Sequence, residues 1–429
     1  MTGAVNEPAG QRFIAVPGGL PRLLPPRPED LRRHLVRFGP VPYRGRRRGL
    51  IGDVEASGLT GRGGAAFPAH RKLAIVAAAR GLKVVVANGA ESEPASRKDE
   101  TLIRAAPHLV LDGLQLAAEA VGASEAYLYL HQGAGAGIRQ ALRDRAAGGQ
   151  DLIEVTLADT PPRFLAGQES AVVNRLGGGP AIPVFTPPRV TEHGLGGRPT
   201  LVQNVETLAH LALIARYGPR WFRAAGTPAE PGSMLTTCYT ASDGGCRVTE
   251  TAIGTPLATL LGPGEKAQAW LIGGYHGSWL APHARLSLDN SSLRGLGAAI
   301  GAGVLAALPA DRCGVAETAR VASYLAAESA GQCGPCLNGL PRIAAALAEL
   351  AGRWPRRDAR GAIERWADLV NRRGACSHPD GTARFVRSAL RVFEPEFRLH
   401  ERGRCSALNR RPFLPLPNNG IPTNEDDWA

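Results

Sequence analysis

The stretch Lys83-Val84-Val85-Val86-Ala87-Asn88-Gly89-Ala90-Glu91-Ser92-Glu93-Pro94 decides how this chain is read. Its first half is a β-branched run of the kind that forms a buried strand. Its second half turns at once to polar side chains, a glycine and a proline. Polar groups in a tight turn at the C-terminal end of a strand are where open α/β sheets hold ligands. Residues 126–130 (AYLYL) read as a second buried strand, and residues 108–121 and 207–217 carry helical spacing. Strands alternating with helices from about residue 50 to about residue 217 predict an α/β layer architecture with a mainly parallel sheet.

Upstream lies the densest glycine cluster, Gly58-Leu59-Thr60-Gly61-Arg62-Gly63-Gly64-Ala65-Ala66-Phe67-Pro68. Several glycines let a backbone take positive φ and approach a ligand closely, offering N–H groups to a phosphate. Arg62 and Lys72 add positive charge. Asn88, Glu91 and Glu93 are residue types that orient ribityl or ribose hydroxyls and a polar ring edge. Downstream, Gly167-Gln168-Glu169-Ser170-Ala171 opens a helix-like run, and Pro199-Thr200-Leu201-Val202-Gln203-Asn204-Val205-Glu206-Thr207 precedes another. Each segment also has a purely structural reading: an ordinary turn at the glycines, and helix caps at Ser96, Asn204 and Thr207.

With 429 residues, the chain is long enough for roughly three domains at about 150 residues each. Its 53 glycines and 34 prolines stay below the ~25–30% of low-complexity chains, so the glycines are expected in turns and ligand loops. Residues 1–10 show neither a basic nor an apolar leader, and the longest apolar stretch, 296–309, is glycine-interrupted and shorter than the ~20 residues of a spanning helix. A soluble, cytoplasmic, non-spanning protein is expected. The net charge of +12 raises the question of nucleic acid. The arginines are dispersed, however, with short clusters such as Arg44, Arg46, Arg47 and Arg48, and no interleaved aromatics as single-strand binding requires. The expectation is no nucleic-acid partner. Only four of the 50 basic residues are lysines, and two of these, Lys72 and Lys98, fall in the motifs above.

The pattern divides the chain into five parts. Residues 1–48 form a Pro/Arg-rich arm with a short helix near 28–38, and residues 49–227 form the α/β domain. Residues 228–310 form a small α+β domain, with β-like runs at 234–241 (MLTTCYTA), 254–261 (GTPLATLL) and 269–274 (AWLIGG). Residues 311–411 carry 3.6-residue periodicity at 315–327, 340–352 and 361–372, as in a helical bundle. Residues 412–429 read as an irregular tail packed over a neighbouring surface.

Seven cysteines without an export signal point to thiols or metal ligation over disulfides. Cys333-Gly334-Pro335-Cys336 opens or precedes a helix, with Cys376 downstream. Iron–sulfur clusters need soft thiolate ligands, and CxxC supplies two from one turn. The tetrapeptide is also that of thioredoxin-type redox sites, but it lies far from any βαβ pattern.

Taken in order, the segments 61–68, 88–99, 167–172 and 199–208 resemble GRGGAGFP, NADEGEPG…KD, GEETAL and PTTVNNVETL. These are patterns of the FMN-bearing, NADH-oxidising subunit of respiratory complex I and its soluble hydrogenase and formate dehydrogenase relatives. Residues 88–94 also resemble the C subunit of Rnf-type complexes. The resemblance covers roughly residues 50–390. It implies a Rossmann-like FMN-binding α/β domain, then a β-grasp (SLBB) domain around Ile272-Gly273-Gly274-Tyr275, then a helical iron–sulfur domain.

For the site, the resemblance implies Gly61, Arg62, Gly63 and Gly64 on FMN, with Asn88 and Glu91 on the ribityl chain and isoalloxazine. Gly167 and Asn204 complete the pocket, Glu169 and Thr207 come with their motifs, and Phe67, Lys72 and Glu93 lie near flavin and nicotinamide. The chain departs from the pattern where two further family aromatics fall on Ile75 and Arg189, and where an aspartate becomes Ala90. Aromatic stacking contributes about 0.5–1.5 kcal/mol per contact, so NADH is a candidate substrate whose binding is weakened.

The family's ESCGxCxPC has Ala330 at its first cysteine, leaving Cys333, Cys336 and Cys376 for a 4Fe-4S or 3Fe-4S cluster or for none. Ser329, His378 and Asp380 are the candidate fourth ligands. Cys238, Cys246, Cys313 and Cys405 are expected to be ordinary thiols. The function implied is electron input. NADH or another donor reduces FMN, and the cluster passes electrons to a redox partner such as a ferredoxin or another dehydrogenase subunit. Membrane association would come only through such a partner. The alternatives are a non-catalytic scaffold, or a flavoprotein reduced by a ferredoxin or membrane partner.

Overall fold

The computed structural model describes residues 20–45, 49–185, 187–241, 245–262, 267–283, 285–352, 358–409, 411–417 and 428. The parts of the proposed arm and tail at 1–19, 46–48, 418–427 and 429 lie outside them. The chain begins with α1 (Leu31–Phe38), α2 (Gly49–Ser57) and α3 (Ala69–Ala78), followed by β1 (Val84–Asn88), α4 (Lys98–Ala105) and α5 (Pro107–Val121). Then come β2 (Glu125–His131), α6 (Ala136–Ala147), β3 (Val155–Thr160), α7 (Glu169–Leu176), β4 (Thr200–Asn204) and α8 (Val205–Arg223). The first four strands form a parallel sheet in the order β3-β2-β1-β4.

β1 is a central strand, and Val84 to Ala87 are fully buried, as a β-branched run covered on both faces must be. Its register places Asn88 opposite Asn204 of β4 and Tyr129 of β2, so the two motif asparagines sit side by side where their strands end. α5 starts with Pro107, whose missing N–H costs nothing there, and ends at Gly122 in the left-handed conformation. It packs on α8 because Gly113 has no Cβ; a methyl there would lie 2.0 Å from the Leu208 carbonyl oxygen. The two helices and β1 and β2 share one apolar core.

A second sheet follows, from β5 (Ser233–Tyr239), β6 (Cys246–Ala252), β7 (Ala267–Ile272), β8 (Ser278–Leu280) and β9 (Val304–Pro309), in the order β6-β5-β9-β7-β8. Only β5 with β9 is a parallel pair. Two short helices belong to this region, α9 (Leu257–Leu261) and α10 (Asn290–Arg294). The run 254–261, expected as a strand, therefore supplies a helix: Pro256 fixes its first turn and only five residues follow, too few for periodicity to tell helix from strand.

The C-terminal region is helical: α11 (Gly314–Ala327), a π turn over Pro335–Gly339, α12 (Leu340–Ala351), α13 (Ala359–Val370), α14 (His378–Val392) and α15 (Glu394–His400). The apolar faces of these helices share a core with the second sheet, including Trp279 beside Phe385 and Phe393. In the tail, Phe413 and Leu414 donate their amides to Glu317, and Trp428 is buried against Leu165 and Ile182. Among the described residues, no helix is long and apolar enough to cross a membrane.

Candidate functional site

One cavity of about 660 Å³ opens at the C-terminal ends of the parallel strands. Gly61, Gly63, Gly64, Phe67, Lys72, Asn88, Glu91, Glu93, Gly167, Glu169, Asn204 and Thr207 all border it. Of the flavin-site residues expected from the sequence, only Arg62 does not. Its side chain turns inward and is buried, donating to Thr60 Oγ1 at 2.9 Å, with Glu206 and Glu230 balancing its charge. Its backbone N–H donates to Thr207 Oγ1 at 2.9 Å and ties the glycine loop to the start of α8. The acidic partners Glu206 and Glu230 draw the guanidinium inward, away from the cavity.

The glycine loop is closed by the Gly61 amide on the Phe67 carbonyl at 2.8 Å. Gly64 has φ +106°, a conformation that only glycine adopts at little cost. Among the described residues, the amides of Gly63, Gly64 and Ala65 have no protein partner, although these residues border the cavity. Free amides in a glycine turn suit an anionic phosphate. Across the cavity, a Cβ on Gly167 would lie 2.6 Å from Ser92 Oγ and 2.8 Å from the Ala90 oxygen. The wall is built as closely as glycine permits.

The acidic loop serves more as scaffold than its polarity suggests. Glu91 borders the cavity, but its oxygens accept the amides of Asp99 and Glu100, both at 3.1 Å, and the Ser96 hydroxyl. It thus caps α4, whose residue before Lys98, Arg97, supplies no side-chain cap. Asn88 Nδ2 donates to the Gly167 carbonyl at 2.8 Å, and Asn204 Nδ2 to Asp99 at 2.7 Å while Asn204 Oδ1 caps α8 at the Glu206 amide. Glu93 accepts the Tyr275 amide at 2.9 Å and so joins this loop to the second sheet. Burial pushes its carboxyl up to about 8, with the Tyr275 and Ala95 amides opposing. Lys72 Nζ lies 3.0 Å from Glu169 at the rim.

Lys98 and Asp99 also line the cavity, and Lys98 contacts Asp99 at 2.7 Å and the buried Glu206 at 3.0 Å. Burial opposes its charge, but Asp99, Glu206 and Glu91 prevail and raise its pKa. Burial likewise opposes ionisation of Glu206, yet Lys98, His210 and Arg62 hold it down at about 2.

The cavity also draws on residues that motif reading did not nominate: Phe164, His276, Gly301 and Arg384. They come from the second sheet, the helical region and the loop before α7, so no local signal marks them. Ile75 and Arg189 do not border it; Ile75 is 39% exposed and Arg189 lies on the surface. Phe67 alone of the expected stacking aromatics is at the cavity.

Cys376 borders the same cavity. Cys333 and Cys336 flank the start of the π turn that leads into α12, directly after helix α11, which is not the strand-to-helix setting of a thioredoxin-type motif. Burial raises the Cys336 thiol to about 12, with Cys333 and Cys376 adding to it and a Ser329 hydrogen bond opposing. The three thiols thus form one neighbourhood, a soft donor set that fits an iron–sulfur cluster. Ala330 packs on the Leu165, Ile182 and Trp428 cluster.

Of the candidate fourth ligands, His378 is engaged at both nitrogens, by His276 at 3.0 Å and the Leu325 carbonyl at 2.8 Å, and Asp380 accepts the Arg372 amide at 2.6 Å. Ser329 faces the thiols. Burial keeps His276 and His378 neutral, lowering His378 to about 4. Phe164 sits edge-on to His276 at 4.7 Å and tilted to His378 at 5.6 Å, and the three rings line the cavity together with Cys376.

Residues 54–213 match the Nuo51 FMN-binding domain, and residues 316–400 match the NADH-ubiquinone oxidoreductase-F iron-sulfur binding region. The F subunit of the NADH-quinone oxidoreductase of Streptomyces coelicolor is 31% identical over 378 residues, covering 83% of each chain. The F 2 subunit of the Rhizobium meliloti enzyme is 30% identical over 83% of this chain and 90% of its own. Among solved structures, the NAD+-reducing [NiFe]-hydrogenase in its H2-reduced state superposes with a TM-score of 0.74 at 24% identity, over 89% of this chain and 68% of the other. Its air-oxidized form gives 0.74 at 26% identity, over 85% and 64%. By its sequence relatives, then, this chain belongs to the family of NADH-quinone oxidoreductase F subunits.

Proposed function

We propose that the chain is a flavin- and cluster-bearing electron-input subunit that takes electrons from NADH or another donor and delivers them to a partner protein. The observation that carries this reading is Cys376, a cluster-type thiol bordering the same cavity as the glycine loop. Flavin accepts an electron pair and releases single electrons, which iron–sulfur clusters carry onward. The free amides of Gly63, Gly64 and Ala65 would hold the FMN phosphate. Asn88, Gly167 and Asn204 fix the walls, and Lys72 and Glu169 stand at the rim. Cys333, Cys336 and Cys376 would hold the cluster, with Ser329 the fourth side chain facing them. Phe164, His276 and His378 line the cavity beside Cys376 and would exclude water there.

In this reading residues 49–227 form the FMN domain, 228–310 a β-grasp (SLBB-like) domain and 311–411 the iron–sulfur domain, flanked by the arm and tail. The partner is a ferredoxin or another dehydrogenase subunit.

A donor other than NADH is favoured by Ile75 and Arg189, which stand where the family stacks aromatics and lie off the cavity. The test is an absorption spectrum of anaerobically purified protein, with iron quantified, before and after NADH and then reduced ferredoxin. Flavin bleaching by either donor supports electron input and identifies the donor. A colourless chain that takes up neither FMN nor iron would be a scaffold, and the reading would fall.

A further inference from the structure

We propose that Cys313, Glu396, His400 and Cys405 form a four-ligand site for one divalent transition metal of borderline softness, zinc first among them. Their ligand atoms lie within 4.8 Å of one another, and three of the four residues are buried. The group shares no residue with the cavity or the cluster thiols.

Glu396 and His400 are one turn apart on α15 and so share a face. Cys313 stands at the N-terminus of α11, its sulfur accepting the Ala316 amide at 3.3 Å. Cys405 arrives after the turn that ends α15, where Gly403 has φ +68°. Cys313 Sγ is 3.3 Å from His400 Nε2 and 3.9 Å from Glu396 Oε1, and His400 Nε2 is 3.2 Å from Glu396 Oε1. With Zn–S of about 2.3 Å and Zn–N of about 2.0 Å, the edges of a tetrahedral site run roughly 3.3–3.8 Å. The observed spacings sit close to that range.

The surroundings favour a cation. His400 Nδ1 is 2.8 Å from the Leu350 carbonyl and donates to it, which makes Nε2 the nitrogen that faces a carboxylate and two sulfurs. Such a second hydrogen bond is what orients a metal-binding imidazole. Glu396 is itself held by the amide and hydroxyl of Ser406. Two sulfurs, one nitrogen and one oxygen around a closed position make a structural metal centre, not an open catalytic one. The metal would pin the segment after α15 onto the start of α11, where the Asn409 amide already meets the Asp311 carbonyl at 2.9 Å. On this proposal Cys313 and Cys405, expected from the sequence to be ordinary thiols, serve as ligands.

The test uses the full chain expressed with added zinc and washed with a weak chelator, with zinc and iron measured on the same sample. About one zinc per chain is expected, and it persists in the Cys333→Ser/Cys336→Ser/Cys376→Ser variant. In His400→Gln and Cys405→Ser the zinc falls to less than about a fifth. If those variants do not fold, metal-stripped wild-type protein titrated with cobalt(II) is expected to show the d–d bands and thiolate charge-transfer band of a tetrahedral thiolate site. The proposal is overturned by folded wild-type protein with neither zinc nor a cobalt spectrum. Zinc that follows the triple variant instead of His400 also overturns it. So does a Cys313–Cys405 disulfide found in unreduced peptides.

Discussion

Lys98 Nζ lies 3.0 Å from Glu206 Oε2, both side chains buried, and this ion pair joins the start of α4 to the start of α8 at the wall of the cavity. Glu206 Oε1 also accepts the Leu235 amide of β5 at 2.8 Å, so the pair links both sheets. Removing one member strands a charge in the interior, which costs about 3–5 kcal/mol where pairs are this enclosed. Lys98→Met is therefore expected to lower unfolding stability by that amount. Adding Glu206→Gln should recover part of the loss. Denaturant midpoints measure both; a Lys98→Met chain as stable as wild type would remove the pair from the account of the fold.

Glu93 gives the flavin-free protein a pH signature. Its carboxyl is raised from 4.5 to about 8 by burial, so the folded chain holds a proton that the unfolded chain releases. Stability from this group is complete below pH 4.5 and is lost as pH rises towards 8, at roughly 1.4 kcal/mol per pH unit in between. Glu93→Gln keeps the shape and removes the titration. Its melting temperature should fall less than that of wild type between pH 5 and pH 8. Parallel curves for the two proteins would show that Glu93 is ionised in the fold.

These two carboxylates show how much of the molecule can be read from the sequence. Val84 to Ala87 declare β1 because a central parallel strand must be apolar on both faces. β3, at the sheet edge, mixes buried, half-buried and exposed positions over Val155–Thr160 and carries no such run, and β9 hides behind the glycines of 295–303. The glycine and acidic loops were legible as site elements because their residue types are unusual together. Sequence pattern does not separate Glu93, which spans to the second sheet, from Glu91, which caps α4. Nor does it bring His276 or Cys376 to the cavity, since they come from distant elements.

Gly167 tests the cavity wall. A valine there would press on Ser92 Oγ and the Ala90 carbonyl, both under 3 Å from the first added carbon. Overpacking of this kind costs about 1–3 kcal/mol, taken here from a loop that shapes the cavity. Gly167→Val should bind FMN about ten- to a hundredfold more weakly while circular dichroism stays unchanged. Flavin titration by fluorescence quenching reads the affinity. Wild-type affinity in the folded variant would move the flavin elsewhere.

Cys376 separates the two halves of the electron route, because it alone of the three cluster-type cysteines borders the cavity. Ser in its place leaves Cys333 and Cys336, too few thiolates to hold a cluster when Ala330 already lacks one. Cys376→Ser should therefore lose at least about nine-tenths of its iron while keeping FMN near one per chain. Donor-driven flavin bleaching should persist, and reduction of a one-electron acceptor protein should slow by more than about tenfold, since flavin and partner lose their relay. Iron content, flavin content and acceptor reduction on one preparation decide the matter. Unchanged iron in Cys376→Ser would place the cluster ligands elsewhere, and loss of FMN together with iron would make Cys376 a wall of the cavity first and a ligand second.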